Sequence, residues 1–98
     1  SDPLTTLPNR ATLLRQLEVA LRVTESDGMG TAVLFVDLNG FKQVNDSLGH
    51  AAGDEVLSSV ARRLRRCLRG DDVAARLGGD EFALLVRDVE PARRKRRA

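Results

Sequence analysis

The sequence predicts a small α+β fold, in which a sheet is flanked by helices in the manner of an α/β sandwich. Three observations support this prediction. Apolar residues recur at helical spacing in two segments, an apolar and β-branched run lies between them, and a glycine pair joins two short apolar runs further on. The chain of 98 residues has room for one such domain, which we place at residues 1–90.

The composition limits both the core and the location of the chain. The chain is 42% hydrophobic but has three Phe and neither Trp nor Tyr, so its core must consist of Leu, Val and Ala. The single cysteine, Cys67, has no partner for an internal disulfide, and its apolar position predicts a reduced core residue. No run is apolar and long enough to span a membrane, and no signal peptide is recognisable, so the expected location is the cytoplasm.

The first helix follows the turn-rich opening SDPLTTLPNR, whose Asn9 is placed to cap it. Intervals of three and four residues then predict one buried stripe. Its members are Leu13, Leu14, Leu17, Leu21 and Val23. After Gly28 and Gly30, the run TAVLFVDL is too short for a free-standing helix and predicts a buried strand.

The second helical region is rich in glycine and arginine. A short helix is predicted from about Gly40, with interruptions at Gly49 and Gly53, and a longer helix follows. The predicted buried face of the longer helix consists of Val56, Leu57, Val60, Ala61, Leu64 and Leu68. The predicted outer face carries Arg62, Arg63, Arg65, Arg66 and Arg69.

Two short strands, VAARL and FALLV, complete the predicted fold as a hairpin. A crossover from the first strand should bring Asp37, at its end, near the hairpin tip with Asp80 and Glu81. Three unpaired carboxylates in a small volume repel one another, so a cation is expected among them. Hard oxygen ligands suit Mg²⁺. A solvated pair of turn acids remains the alternative.

Three segments in this order carry a family resemblance: DPLTTLPNR, DLNGFKQVNDSLGHAAGD and RLGGDEF. Together they closely resemble the GGDEF domain of diguanylate cyclases, which join two GTP into cyclic di-GMP, and the resemblance covers residues 2–88. It implies a fold similar to nucleotidyl cyclase and polymerase palm domains, with a ferredoxin-type sheet flanked by helices. It also implies a homodimer in which each half-site holds one GTP.

The resemblance implies a divalent metal, Mg²⁺ or Mn²⁺, held by Asp37, the backbone carbonyl of Leu38, Asp80 and Glu81. Asp37, Asp80 and Glu81 are thus the implied catalytic residues, and Glu81 is also a candidate base. The implied reaction is in-line attack of a 3′-hydroxyl on the α-phosphate of a second GTP, with pyrophosphate leaving.

The resemblance also implies how the substrate is bound. The resemblance places Asn45 and Asp54 at the guanine-binding positions of the family. Their chemistry is compatible with this role, because a carboxylate accepts from two adjacent N–H donors of guanine and an amide can bond other atoms of its edge. On the residues alone, a helix N-cap at Asp54 and a surface amide in a short helix at Asn45 are the favoured interpretations.

Two further segments are expected to contact the nucleotide, one through its phosphates and one where it approaches the backbone. Gly40 and Phe41 match backbone amides that bind phosphate, with Lys42 nearby, although an exposed lysine explains Lys42 as well. Gly78 and Gly79 lack side chains, which lets a nucleotide approach the backbone.

The segment RGDD matches the inhibitory site of the family, at which cyclic di-GMP restrains the enzyme. Arg69 and Asp72 stand at its two characteristic positions, and a guanidinium both stacks on guanine and pairs with phosphate. The alternative is a helix-terminal arginine followed by an acidic turn, which the helix dipole favours.

The sequence departs from the family in three places. Thr6 stands where Gly is usual, and Asn39 where Asp is common. The ending RDVEPARRKRRA predicts a disordered basic tail over residues 91–98 in place of a further helix and strand. The domain is therefore expected to be partial, with a sheet edge exposed beside the first strand and weakened triphosphate binding.

Three functions are compatible with the sequence. The first is a diguanylate cyclase domain. The second is a degenerate or truncated GGDEF module that binds GTP or cyclic di-GMP without turnover. The third and weakest is a nucleic-acid-binding module that uses the arginine face and tail, for which basic charge is the only support.

Overall fold

The computed structural model describes residues 1–90, and the predicted basic tail lies outside them. The helices and strands, in chain order, are α1 Arg10–Asp27, β1 Gly30–Asp37, α2 Phe41–Leu48, α3 His50–Cys67, β2 Val73–Gly78 and β3 Glu81–Val89. Helices packed with an antiparallel sheet confirm the predicted α+β class.

The sheet has the strand order β1-β3-β2, so the last strand lies in the centre. β3 is antiparallel to both neighbours, and β1 and β2 therefore run parallel to each other with β3 between them. Among residues 1–90, β1 and β2 each pair on one side alone and form the two edges of the sheet.

The sheet separates two apolar clusters. The cluster on the α1 side contains Leu13, Ala20, Ala75, Ala83 and Leu85. The cluster on the α3 side contains Leu7, Leu57, Ala61, Ala74, Phe82 and Leu84. β3 contributes to both because successive side chains of a strand point to opposite faces. Each fully buried Leu or Phe contributes about 1.5–3 kcal/mol of transfer free energy, and Phe82 and Leu85 are both fully buried.

The predicted stripe of α1 was right for Leu13 and wrong at its flanks. Leu14 is 53% exposed and Leu21 is 51% exposed, whereas Ala20 is completely buried. Leu13, Leu17 and Ala20 form the face of α1 that packs on the sheet. This face is narrower than the stripe that the leucine pattern predicts. A small residue at position 20 brings the helix close to the alanines of the sheet.

The prediction that β1 is a buried strand was also wrong. Phe35 is 74% exposed and Leu34 is 49% exposed, so the described helices leave these positions of β1 largely uncovered. A short apolar run is typical of a buried strand, but burial depends on strand order, which a single run does not contain.

The α2–α3 region follows the predicted pattern with two exceptions. Gly49, at φ 92°, separates the two helices, but Gly53 lies inside α3 and is buried. Leu57 and Ala61 of the predicted face are buried, and the outer arginines are exposed. Cys67 is exposed at the last residue of α3, so the prediction of a core cysteine was wrong.

The opening turn contains a strained residue. Thr6 has φ 61°, in the left-handed region that glycine adopts without steric cost. Its hydroxyl donates to the carbonyl of Thr5 at 2.6 Å, and Arg65 of α3 contacts both Thr5 and Thr6. These contacts hold a conformation that a β-branched residue disfavours and that glycine would adopt without strain.

Arg76 of β2 ties the opening segment to the hairpin. Its Nη1 donates to both carboxylate oxygens of Asp2, at 3.1 and 3.2 Å. Its Nε and Nη2 donate to the carbonyl of Gly79, at 3.2 and 2.9 Å, and its backbone N–H donates to the carbonyl of Pro8. One side chain therefore holds the start of the chain and the glycine turn together.

The Asp2 carboxylate is stabilised in its ionised form. Burial acts to raise its pKa, but hydrogen bonds from the backbone and hydroxyl of Thr5 and the Arg76 guanidinium outweigh burial, so the pKa lies below its ordinary value. The two partners of the ion pair are only 16% and 17% exposed, which limits screening by solvent.

We predict that Asp2→Asn lowers the free energy of unfolding at pH 7 by about 1–3 kcal/mol, the range for a hydrogen-bonded charged group. Because the folded-state pKa is depressed, this stabilisation is present above the unfolded-state pKa of about 3.9 and is lost as the pH falls through the folded-state pKa. Urea unfolding from pH 7 to pH 2 checks this, with the exposed Asp71→Asn as control. Parallel pH profiles for Asp2→Asn and the native chain would contradict it.

Candidate functional site

Two carboxylates face each other across the β1–β3 ladder. Asp37, the last residue of β1, is the Cα partner of Glu81, the first residue of β3. The backbone N–H of Leu38 donates to the carbonyl of Asp80 at 3.3 Å, which extends the pairing beyond the strand ends. The crossover topology thus brings together residues that are more than 40 positions apart, as the sequence predicted.

Asp37 and Glu81 share a cavity of about 330 Å³ with Arg10, Phe35 and Leu77, among others. Asp80 precedes β3 in the turn and is not one of the lining residues. Residues 1–90 hold no cluster of three or more Asp, Glu, His or Cys side chains arranged to ligate a metal ion. The structure therefore places two of the three acids in one space, with the third beside them in the chain.

The glycine turn lies next to a larger cavity of about 580 Å³, whose lining includes Asn9, Arg10, Arg76, Gly78 and Gly79. A Cβ added to Gly79 would meet no atom within 4 Å, so the backbone here faces open space. The turn has room for a ligand close to the main chain, in keeping with the role expected for the glycine pair.

The start of α2 follows directly after β1. Gly40 caps the helix at φ 79°, and Phe41 is its first residue, partly buried against the α3-side cluster. Lys42 is exposed and forms an ion pair with Asp46 at 2.9 Å, one turn along the helix. Such exposed pairs contribute about 0.3–0.5 kcal/mol, so the Lys42 ammonium can exchange partners at little cost.

Asn45 packs against α3 at a position without a side chain. Its Oδ1 is buried and has no hydrogen-bond partner among the described residues. A Cβ on Gly53 would lie 1.9 Å from this oxygen and 3.3 Å from Cζ of Phe41. Gly53 therefore provides the space that the Asn45 carboxamide occupies.

Asp54 follows Gly53 inside α3 and is exposed. The alternative that it caps the helix is wrong, because α3 begins at His50 with Gly49 as its N-cap. Its carboxylate is open to solvent next to the glycine that accommodates Asn45.

Arg69 and Asp72 lie in the loop between α3 and β2. The Asp72 carboxylate accepts from the backbone N–H of Arg69 at 3.1 Å and of Arg87 at 2.8 Å, which ties the loop to β3. Within residues 1–90 the guanidinium of Arg69 makes no hydrogen bond or ion pair. A cavity of about 360 Å³ is lined by Arg69, Asp72, Arg87 and Asp88, together with their neighbours.

The sequence matches the family described as "Diguanylate cyclase, GGDEF domain" over residues 1–98. The chain belongs to the GGDEF-domain family of diguanylate cyclases. This GGDEF domain is 53% identical over 91 residues to the bifunctional diguanylate cyclase/cyclic di-GMP phosphodiesterase MucR of Pseudomonas aeruginosa, covering 93% of the chain and 13% of MucR. It is 54% identical over 85 residues to the diguanylate cyclase TpbB of the same organism, covering 87% of the chain and 20% of TpbB.

Solved structures of GGDEF domains resemble this one closely. The isolated GGDEF domain of TpbB gives a TM-score of 0.87 at 52% identity, covering 90% of this chain and 51% of that chain. The GGDEF domain of DgcB from Caulobacter crescentus, in complex with c-di-GMP, gives a TM-score of 0.86 at 34% identity, covering 93% of this chain and 53% of that chain. The chain thus spans a small part of its curated relatives and about half of these solved domains.

Sequence reasoning missed two residues that shape the site of this GGDEF domain. Arg10 lines both cavities beside the hairpin tip, and Gly53 admits Asn45. A signal existed for each: Arg10 directly follows the helix cap, and a glycine inside an otherwise continuous helical pattern indicates a packing requirement.

We predict that Gly53→Ala lowers the free energy of unfolding by about 1–3 kcal/mol, the usual cost of overpacking. The better helix propensity of alanine, about 1 kcal/mol, offsets only part of this cost. Urea denaturation measures the effect, with Gly79→Ala as a control at a glycine that faces open space. A Gly53→Ala variant at least as stable as the native chain would show that Asn45 does not need this space.

Proposed function

We propose that this GGDEF domain is a diguanylate cyclase, which condenses two GTP into cyclic di-GMP and releases pyrophosphate. The observation that carries the proposal is the pairing of Asp37 with Glu81 beside the two-glycine turn. Membership of the GGDEF-domain family supports the proposal, since the related protein TpbB is a diguanylate cyclase.

The donor chemistry of the site fits Mg²⁺ or Mn²⁺. Asp37 and Glu81 supply carboxylate oxygens in one cavity, and Leu38 and Asp80, the other two proposed ligands, directly follow Asp37 and precede Glu81 in the chain. Mg²⁺ needs only one or two protein carboxylates when substrate phosphates and water complete its shell, so a closed protein cage is unnecessary. When bound, the metal would neutralise phosphate charge and acidify the attacking hydroxyl.

The residues of the chain would position the nucleotide around these carboxylates. We propose that Glu81 accepts the proton of the 3′-hydroxyl that attacks the α-phosphate of the second GTP, whose pyrophosphate leaves. The amides of Gly40 and Phe41, with Lys42, would bind phosphate oxygens at the start of α2. Gly78 and Gly79 would let the substrate approach the turn.

Guanine recognition is assigned to Asn45 and Asp54. Guanine presents two adjacent N–H donors that the exposed carboxylate of Asp54 can accept together, whereas adenine lacks this pair. Asn45 supports this assignment by its place, because its carboxamide packs against Gly53, the residue that directly precedes Asp54.

The product has two equivalent phosphodiester bonds, each joining the 3′-oxygen of one nucleotide to the phosphate of the other. A two-fold homodimer with one GTP in each half-site matches this symmetry. We therefore propose that the working form is a homodimer in the cytoplasm, where GTP is available. No helix within residues 1–90 is long and apolar enough to cross a bilayer.

A second candidate is a module that binds GTP or cyclic di-GMP without turnover. The observation that favours it is the position of Asp80, which does not line the cavity shared by Asp37 and Glu81. A binding module needs the guanine and phosphate contacts but not the third carboxylate. An assay of turnover separates the two candidates.

We predict that the purified chain, in the presence of Mg²⁺, converts two GTP into cyclic di-GMP and two pyrophosphate, with the cyclic di-GMP detected by mass spectrometry. Glu81→Gln should lower the rate by roughly 10²- to 10⁴-fold, the usual contribution of a general base. Glu18→Gln, on the exposed face of α1, is the matched control and should keep the native rate. If folded native chain at high concentration binds GTP yet forms no product, the binding module is the correct function.

We propose that Arg69 binds cyclic di-GMP as an inhibitory product, with Asp72 holding the loop in place. The cavity beside a guanidinium that has no partner within residues 1–90 supports this, as does the solved complex of DgcB with c-di-GMP. Arg69→Ala should weaken cyclic di-GMP binding by roughly tenfold, since a charge-assisted hydrogen bond is lost.

Calorimetric titration of cyclic di-GMP into the two proteins checks the role of Arg69. Arg62→Ala removes an equal charge from the exposed face of α3 without touching the loop, and should bind like the native chain. Equal affinities for the native chain and Arg69→Ala would remove the inhibitory role from this residue.

A further inference from the structure

Arg10 is held in a defined position at the start of α1. Asn9 caps the helix, and its Oδ1 accepts from the backbone N–H of Thr12 at 3.0 Å. Arg10 is the first helical residue, so its backbone is anchored by this cap and by the helix that follows. The side chain therefore projects from a rigid element towards the hairpin.

An arginine at this position is locally unfavourable. The N-terminus of a helix carries partial positive charge, which favours acidic residues in the first turn, and the first turn of α1 has none. Residues that break a local rule without a compensating contact are concentrated at functional sites. The stability of α1 thus does not explain why position 10 is an arginine.

Arg10 lies where the two cavities of the hairpin tip adjoin. It lines the 330 Å³ cavity with Asp37 and Glu81, and it lines the 580 Å³ cavity with Gly78 and Gly79. Among residues 1–90 it makes no ion pair within 4.0 Å and no side-chain hydrogen bond. Its neighbour Arg76 lines the larger cavity too, but is already bonded to Asp2 and Gly79.

We infer that Arg10 binds the phosphate oxygens of the nucleotide at the tip of the hairpin. This rests on the proposed function, because it assumes a guanine nucleotide at this site. The Arg10 guanidinium, whose donors have no partner in the described part of the chain, lies beside two carboxylates and an open glycine turn. It offers a phosphate group the opposite charge and forked hydrogen bonds. Arg10 also offsets part of the repulsion that Asp37 and Glu81 exert on an incoming phosphate.

Calorimetric titrations with GDP and guanosine, both in Mg²⁺, test this role. GDP retains phosphates but lacks a pyrophosphate leaving group, so binding is measured without the proposed reaction. Arg10→Ala should weaken GDP binding by roughly five- to tenfold and leave guanosine binding unchanged, since only the phosphate contact is removed. The GDP affinity of Arg10→Lys should lie between those of the native chain and Arg10→Ala, because lysine keeps the charge but lacks the forked donors of a guanidinium.

Arg15→Ala is the matched control. Arg15 lies on the same helix and its Nη2 donates to Thr12 at 3.1 Å, but it lines neither cavity. This variant should bind GDP like the native chain. Thermal unfolding of all variants verifies that Arg10→Ala is folded. This substitution removes a positive charge that opposes the helix dipole, so it should not lower the stability of the chain.

Each outcome decides the inference. Native GDP affinity in Arg10→Ala overturns it, and so does an equal loss for GDP and guanosine, because Arg10 would then act through the fold. If the native chain binds neither GDP nor guanosine, the proposed function itself fails and the inference fails with it. A loss confined to GDP supports it.

Discussion

The register of β3 between its two neighbours is the constraint on which the rest of the molecule depends. β3 pairs with β1 and with β2, contributes to both apolar clusters, and begins at Glu81. Side chains alternate across a strand, so a slip of one residue would exchange its two faces. It would move Phe82 from the α3 side to the α1 side and separate Glu81 from Asp37. The buried face and the paired carboxylates are therefore specified by the same register.

The parts of the site that could be predicted from the sequence are those that depend on chain order and local motifs. The glycine turn follows from Gly78 and Gly79, and the approach of Asp37 to Glu81 follows from a crossover that returns to the same sheet. The helix cap at Asn9 and the buried face around Leu57 are likewise local patterns. These features need no knowledge of strand order beyond the hairpin.

The features that sequence reasoning missed depend on tertiary partners. The exposure of Phe35 reflects how the described helices cover β1, which a single apolar run does not contain. Cys67 has the helical phase of a buried residue, but a residue at a helix end is buried only if something packs there. Gly53 is predicted to break the helix on propensity alone, whereas the contact with Asn45 gives the glycine its role inside the helix.

Charged side chains connect the start of the chain to the hairpin tip. Arg76 bonds Asp2 and Gly79, and Arg10 lines the same cavity beside the turn as Arg76 does. The opening segment thus forms part of the wall of the site and fixes the glycine turn through Arg76. The resemblance in the opening motif and the resemblance around the glycine pair consequently describe one structural unit rather than two.

The central place of β3 also determines which part of the fold opens first. Amide exchange follows local opening, and a strand hydrogen-bonded on both sides opens only when a neighbour has left, whereas edge strands fray independently. Within residues 1–90, the candidate carboxylate Glu81 stands on the strand that is paired on both sides, and its partner Asp37 stands on a strand paired on one side. We therefore expect changes in the spacing of the two carboxylates to come from the β1 side.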